Sequence, residues 1–168
     1  MEIAIASDIH DNLPNLKKFL DYIKKEGVKR LILCGDTGNK ETLDFINKNF
    51  GGKIFSVLGN MDTWRKSEIR STKSLPGRQA GETILKFKID ELKFAVTHFP
   101  DEAKKLALNR TEGCDFVFYG HTHKPWLEQV GKTILANPGN LAGIWYKATF
   151  AVLDAKTKKL SLKILDSL

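Results

Sequence analysis

Phe116-Val117-Phe118-Tyr119-Gly120-His121-Thr122-His123 reads as a buried strand that runs out through a glycine into two histidines spaced two apart. In an extended backbone, residues i and i+2 point to the same face, so both imidazoles reach one small volume. Imidazole is the commonest protein ligand for transition metals near neutral pH. Two histidines do not complete a site, but the same pattern recurs along the chain. Four more apolar runs end in a residue able to bind a metal, usually just after a small one: Ile5-Ala6-Ser7-Asp8, Leu33-Cys34-Gly35-Asp36, Val57-Leu58-Gly59-Asn60 and Ala95-Val96-Thr97-His98.

These runs sit in an alternating chain. A strand over residues 3–7 leads to a helix capped by Asn12, with Pro14 in its first turn and Leu13, Leu16, Leu20 and Ile23 at helical spacing until Gly27. A strand over 31–34, a helix carrying Leu43, Ile46 and Phe50, and a strand over 54–58 follow. This βαβαβ order predicts parallel strands and right-handed crossovers. In α/β sheets, ligands bind outside the carboxyl ends of the strands, where loops converge. The second half predicts strands at 83–89 and 92–97, a helix from Pro100 to near Gly113, the Phe116 strand, a hairpin around Gly131-Lys132, and a last pair at 149–153 and 160–165. Residues 64–78 are polar and basic with no clear period, and read as a short helix or loop excursion. There is no repeat or linker, and residues 1–168 read as one domain.

Composition sets bounds on function. The chain is 42% hydrophobic and 28% charged, ordinary for a soluble globular protein. Cys34 and Cys114 have no metal-type or disulfide-framework spacing and read as reduced core residues. No basic leader and no membrane-length apolar run is present, so the expected location is the cytoplasm and no membrane partner is expected. The net charge of +7 comes from scattered lysines without a nucleic-acid-binding motif. That disfavours nucleic acid as a partner and reads mostly as a solvated surface.

The collected inventory is Asp8, His10, Asp36, Asn60, His98, His121 and His123, which includes every histidine of the chain. Each residue alone has an ordinary explanation as a cap, a turn or a surface imidazole. All seven falling at strand ends, with no histidine elsewhere, decides for a metal site. One first-row ion takes four to six ligands, often with water, so seven residues and a shared carboxylate suit two ions about 3.5–4 Å apart. The mixed nitrogen and oxygen set predicts two divalent transition-metal ions, manganese first, with nickel, zinc, iron or cobalt as alternatives, over magnesium or calcium.

Asp8-x-His10, Gly35-Asp36, Gly59-Asn60-x-Asp62, Thr97-His98 and Gly120-His121-Thr122-His123 resemble the motif series of the calcineurin-like metallophosphoesterases, and their order and spacing are similar to the small YfcE-type phosphodiesterases. Asn137-Pro138-Gly139 is similar to a further segment of that family, so the resemblance runs from residue 3 to about 140. It implies a four-layer αββα sandwich, two mixed β-sheets flanked by helices. It also implies one metal on Asp8, His10, Asp36 and His123 and another on Asp36, Asn60, His98 and His121, with Asp36 bridging.

The implied chemistry is hydrolysis of a small phosphoester, most plausibly a diester, by in-line attack of a hydroxide bridging two metal ions. Asp36, Asn60, His98 and Asp62 are the residues expected nearest the reaction, Asp62 as an acid, as support behind the ligands or in an ordinary structural hydrogen bond. Many relatives carry a histidine after the motif asparagine; here Met61 stands there and cannot transfer a proton. Phe99-Pro100 replaces the glycine and histidine that often follow the His98 motif.

Two readings compete for the basic excursion: Trp64 stacks on a substrate ring while Arg65 or Arg70 meets a phosphate, or the segment is solvated and Trp64 packs at the core edge. Trp145 and Tyr146 read as packing or a subunit contact, and a homo-oligomer is left open. Two alternative functions stand behind the first: a nuclease or nucleotide phosphatase, and a non-catalytic scaffold like the phosphoesterase-fold subunit of retromer. The scaffold ranks last because every ligand position is intact.

Overall fold

Ile3 and Ile5 of strand β1 (Glu2–Ala6) face one way and Ala4 and Ala6 the other, and all four are fully buried. A strand buried on both faces must lie inside a layered structure. The computed structural model describes residues 1–62, 78–109, 111 and 113–168, with Arg78 and Gln79 described by backbone alone. Trp64, Arg65 and Arg70, and with them the proposed substrate contacts of the basic excursion, lie outside the described residues.

Helix α1 (Leu13–Lys25) begins where the Asn12 side chain accepts the Asn15 N–H at 3.1 Å, as its sequence predicts. Helix α2 (Lys40–Asn49) is capped in the same way by Asn39, whose side chain accepts the Thr42 N–H at 3.0 Å. The first sheet sets β1 between two partners, parallel to β2 (Arg30–Leu33) and antiparallel to β10 (Thr149–Asp154). Its remaining strands are β3 (Lys53–Val57), β4 (Arg78–Gly81) and β11 (Lys159–Ile164), in the order β11-β10-β1-β2-β3-β4. The second sheet contains β5 (Ile84–Ile89), β6 (Leu92–Thr97), β7 (Phe116–Phe118), β8 (Trp126–Val130) and β9 (Thr133–Asn137), ordered β5-β6-β7-β9-β8. Both sheets mix parallel and antiparallel pairs.

The sheets pack face to face. Ile3, Ile5, Ile32, Phe55 and Val57 of the first meet Phe94, Val96, Phe116 and Phe118 of the second in one buried cluster. Phe55 of the first sheet stacks on Phe87 of the second across the seam, with ring centroids 3.9 Å apart, and Phe87 stacks on its cross-strand neighbour Phe94 at 5.3 Å. Outside the first sheet, Ala4, Ala6, Leu31 and Leu33 pack on Leu16, Phe19 and Ile23 of α1 and Ile46 of α2. Outside the second, Ala95, Val117 and Leu135 pack on Ala103 and Ala107 of helix α3 (Pro100–Leu108). The result is the expected four-layer αββα sandwich. No described helix is long and apolar enough to cross a membrane.

Two local expectations are corrected. Strand β4 lies where the sequence reading continued the excursion to Arg78; Arg78 pairs with Ile54 and Gly81 with Val57, extending the first sheet in parallel. Helix α3 stops at Leu108, short of Gly113, because Asn109 turns to an extended backbone with φ −72° and ψ 103°.

Candidate metal centre

The carboxyl-end loops of β1, β2, β3, β6 and β7 meet at the seam between the two sheets and bring all seven predicted ligands together. Asp8 and His98 are fully buried, Asp36 and His123 nearly so, His10 half-buried, and His121 exposed. The donor atoms fall into two groups. In one, His10 Nε2 lies 3.1 Å from His123 Nε2 and 3.7 Å from Asp8 Oδ1, and His123 Nε2 lies 3.3 Å from Asp8 Oδ1. In the other, His98 Nε2 lies 3.1 Å from Asn60 Oδ1 and 3.3 Å from His121 Nδ1, and His121 Nδ1 lies 3.0 Å from Asn60 Oδ1. Asp36 Oδ2 joins them, 3.8 Å from His10 Nε2 and 3.3 Å from His98 Nε2.

These spacings fit ligands around an ion. With bonds of about 2.1 Å, neighbouring ligand atoms lie about 3.0 Å apart in an octahedron and about 3.4 Å in a tetrahedron. The tautomer of His98 fits as well. Its Nδ1 lies 2.8 Å from the Cys34 carbonyl oxygen, which can only accept, so Nδ1 carries the proton and Nε2 offers its lone pair.

The backbone is bent to make this meeting. Asp8, His10, Asp36, His121 and His123 all hold positive φ, between 46° and 69°. Non-glycine residues adopt that region at a cost of about 1–2 kcal/mol each, so the loops are held by their surroundings. The glycines before the ligands are needed for room. A Cβ on Gly59 would collide with Asp36 Oδ1, and one on Gly35 would lie 2.7 Å from His98 Nδ1 and 2.8 Å from the Gly59 nitrogen.

Charge follows from the packing. The Asp8 carboxylate holds the His10 imidazole above its ordinary value, against the effect of burial. Burial works to lower His98, and the adjacent Asp36 carboxylate outweighs it, so His98 is raised. Asp36 is pushed up by burial and pulled down further by His98 and by the Met61 N–H at 2.7 Å, ending below the usual carboxylate range.

Asp62 holds the loops together. Its carboxylate accepts the N–H groups of Asp36 at 3.0 Å, Gly38 at 2.9 Å and Gly59 at 2.7 Å. Phe99 sets its ring edge-on to His98 and His121, with centroids 5.1 and 5.2 Å away. Two asparagines whose roles were not legible brace the histidine loop. Asn137 Nδ2 donates to the Gly120 carbonyl at 2.9 Å, and Asn140 Nδ2 donates to the His123 carbonyl at 3.1 Å. Trp145, expected as packing or a subunit contact, is not packed into the core: it is 82% exposed, and its indole sits 4.8 Å from the His123 ring centroid.

A family model described as the calcineurin-like phosphoesterase superfamily domain matches residues 1–158. Phosphodiesterase MJ0936 of Methanocaldococcus jannaschii is 29% identical over 167 residues, covering 99% of this chain and 100% of that one. Phosphodiesterase YfcE of Escherichia coli is 27% identical over 158 residues, 84% of this chain and 80% of that one. Among solved structures, an archaeal phosphodiesterase superposes with a TM-score of 0.87 at 29% identity, covering 98% of this chain and 99% of that one. The zinc complex of Vps29 from Entamoeba histolytica shares the fold alone, at 20% identity and a TM-score of 0.69 over 97% of this chain and 96% of that one. With its motif residues gathered at one seam and residues 1–158 matched, this chain belongs to the calcineurin-like phosphoesterase superfamily, a family of metal-dependent phosphoesterases.

Proposed function

We propose that the chain is a two-metal phosphodiesterase acting on a small substrate. The observation that carries this reading is the position of Asp36, whose Oδ2 lies 3.8 Å from His10 Nε2 and 3.3 Å from His98 Nε2 and so belongs to both donor groups. Asp8, His10, His123 and Asp36 would hold one divalent ion, and Asp36, Asn60, His98 and His121 the other. When bound, such ions supply Lewis acidity and lower the pKa of water near a phosphorus atom. Manganese is the first choice, because oxygen and imidazole donors are mixed and neither cysteine takes part.

The chain's own contribution is positioning. Cys34, through its carbonyl, fixes the His98 tautomer. Asp62 locks the Asp36 and Gly59 loops and acts here as a positioning residue rather than a proton donor. Met61 offers no proton at the point where a leaving oxygen would depart, so esters with good leaving groups are favoured.

The test is hydrolysis of a bis-aryl phosphate by metal-stripped protein, with Mn²⁺, Ni²⁺, Zn²⁺ and Mg²⁺ restored singly. Activity that returns with a transition metal and is absent in Asp36→Ala supports the reading. Silence with every metal, although two ions per chain are counted, would transfer it to the scaffold class.

A further inference from the structure

We infer that Trp145 is a stacking platform for an aromatic ring carried by the phosphodiester substrate, a subsite beside the proposed metal centre; the inference rests on the function proposed above. Three observations converge on it. The indole is 82% exposed, although it is among the side chains most costly to leave in water. It leans on His123, with ring planes 40° apart and centroids 4.8 Å apart, so it stands one imidazole away from Asp8 and His10. Its backbone holds φ +62°, a region that bulky residues avoid unless the surroundings impose it.

The surroundings do impose it. The Asn140 side chain accepts the Ile144 N–H at 2.8 Å and donates to the His123 carbonyl at 3.1 Å, so one residue fixes both the loop and the histidine beneath it. Asn12 Nδ2 donates to the Ala142 carbonyl at 2.9 Å, tying the same loop to the start of α1. The Leu141 and Ala142 N–H groups bond to the Ser7 and Asp8 carbonyls at 2.9 and 3.0 Å. The base of the loop is therefore welded to the segment that carries Asp8, and its tip, residues 143–147 with Trp145 the most exposed apolar side chain, projects. Residues 141–148 carry no acidic side chain and include exposed Lys147, which suits an approaching phosphate. A ring stacked on the open side of the indole would leave its phosphate at the donor groups. Every nucleobase and aryl ester has such a face, so the platform selects for a ring without reading its identity.

The experiment measures inhibition of bis-aryl phosphate hydrolysis by AMP, phenyl phosphate and inorganic phosphate, in the wild type, Trp145→Ala and Trp145→Phe. Trp145→Ala is expected to weaken the ring-bearing inhibitor about tenfold, Trp145→Phe less, and inorganic phosphate not at all. A loss confined to AMP assigns a nucleobase, and a loss shared by phenyl phosphate assigns any aryl group. Equal changes for all three inhibitors, or none, overturn the platform while leaving the hydrolase intact. A second readout does not need turnover. In zinc-loaded protein labelled with 5-fluorotryptophan, the fluorine resonance missing from Trp145→Phe should shift with AMP and not with inorganic phosphate. That shift without hydrolysis of any diester would sink the proposed function and keep the ring site. Unchanged inhibition together with a lower particle mass of Trp145→Ala by light scattering would make the indole a contact between copies and overturn the proposal.

Discussion

Replacing Asp62 by alanine removes the common acceptor of three backbone N–H groups, from Asp36, Gly38 and Gly59, at 3.0, 2.9 and 2.7 Å. Hydrogen bonds to a charged acceptor are worth about 1.5–3 kcal/mol each when buried; Asp62 is half-buried, so water restores part, leaving about 1 kcal/mol per bond and about 3 kcal/mol in all. With a urea slope of about 2 kcal/mol/M for a chain of this size, the unfolding midpoint falls by about 1.5 M. Asp62→Asn keeps one acceptor oxygen but turns an amide N–H toward a backbone donor, so roughly half of that loss is expected. The assay is urea unfolding of metal-free protein followed by circular dichroism, with metal content and the pH profile of hydrolysis measured on the same variants. Clamping predicts lost stability, reduced metal content and an unchanged shape of the pH profile. A wild-type midpoint with full metal content, joined to a pH profile that loses one limb, would refute the clamp and make Asp62 a proton carrier.

Three more outcomes are expected. Atomic emission should count about two ions in the wild type, about one in His123→Ala or His121→Ala, and close to none in Asp36→Ala, because Asp36 serves both proposed ligand sets; one ion left in Asp36→Ala would separate the two sites. In metal-free protein the carboxylates raise His10 and His98 above the ordinary 6.5, so a metal must displace protons that bind more tightly than usual. Zinc affinity measured by calorimetry should therefore fall as pH is lowered, with the fall beginning above pH 6.5, and a flat profile would contradict it. Met61→His puts a proton donor beside the leaving oxygen and should speed cleavage of alkyl esters by about tenfold or more while changing aryl esters little; equal effects on both would mean that position 61 does not face the leaving group.

Strand ends and the convergence of the seven candidate residues were legible because one steric requirement writes itself into the sequence. Gly35 and Gly59 precede Asp36 and Asn60 where a Cβ would strike a neighbouring loop, so the glycine and ligand pairs mark where loops converge. Strand β4 was not legible: Arg78-Gln79-Ala80-Gly81 has no apolar alternation, and its place is set by pairing with β3. The left-handed backbone of Asp8, His10, Asp36, His121 and His123 was not legible, because aspartate and histidine only weakly favour it and the assembled loops hold it. The exposure of Trp145 was not legible for a related reason. Within Leu141-Ala142-Gly143-Ile144-Trp145-Tyr146, Leu141 is fully buried and Trp145 stands in water, a division made by the asparagine anchors of the loop that the sequence does not announce.

The seam between the sheets has a consequence for the life of the chain. Asp8, His10, Asp36 and Asn60 come from loops of one sheet and His98, His121 and His123 from loops of the other, so each donor group is completed only when the layers have docked. A half-formed chain with a single sheet offers no full set to either ion. Under the proposed ligation, an ion present at a hundred times its Kd adds about 2.7 kcal/mol to the work of prising the layers apart. Metal binding then reports on closure, since an ion finds its full set of donors only in a docked molecule. A cell short of the ion would then hold molecules that are both idle and easier to open to proteolysis.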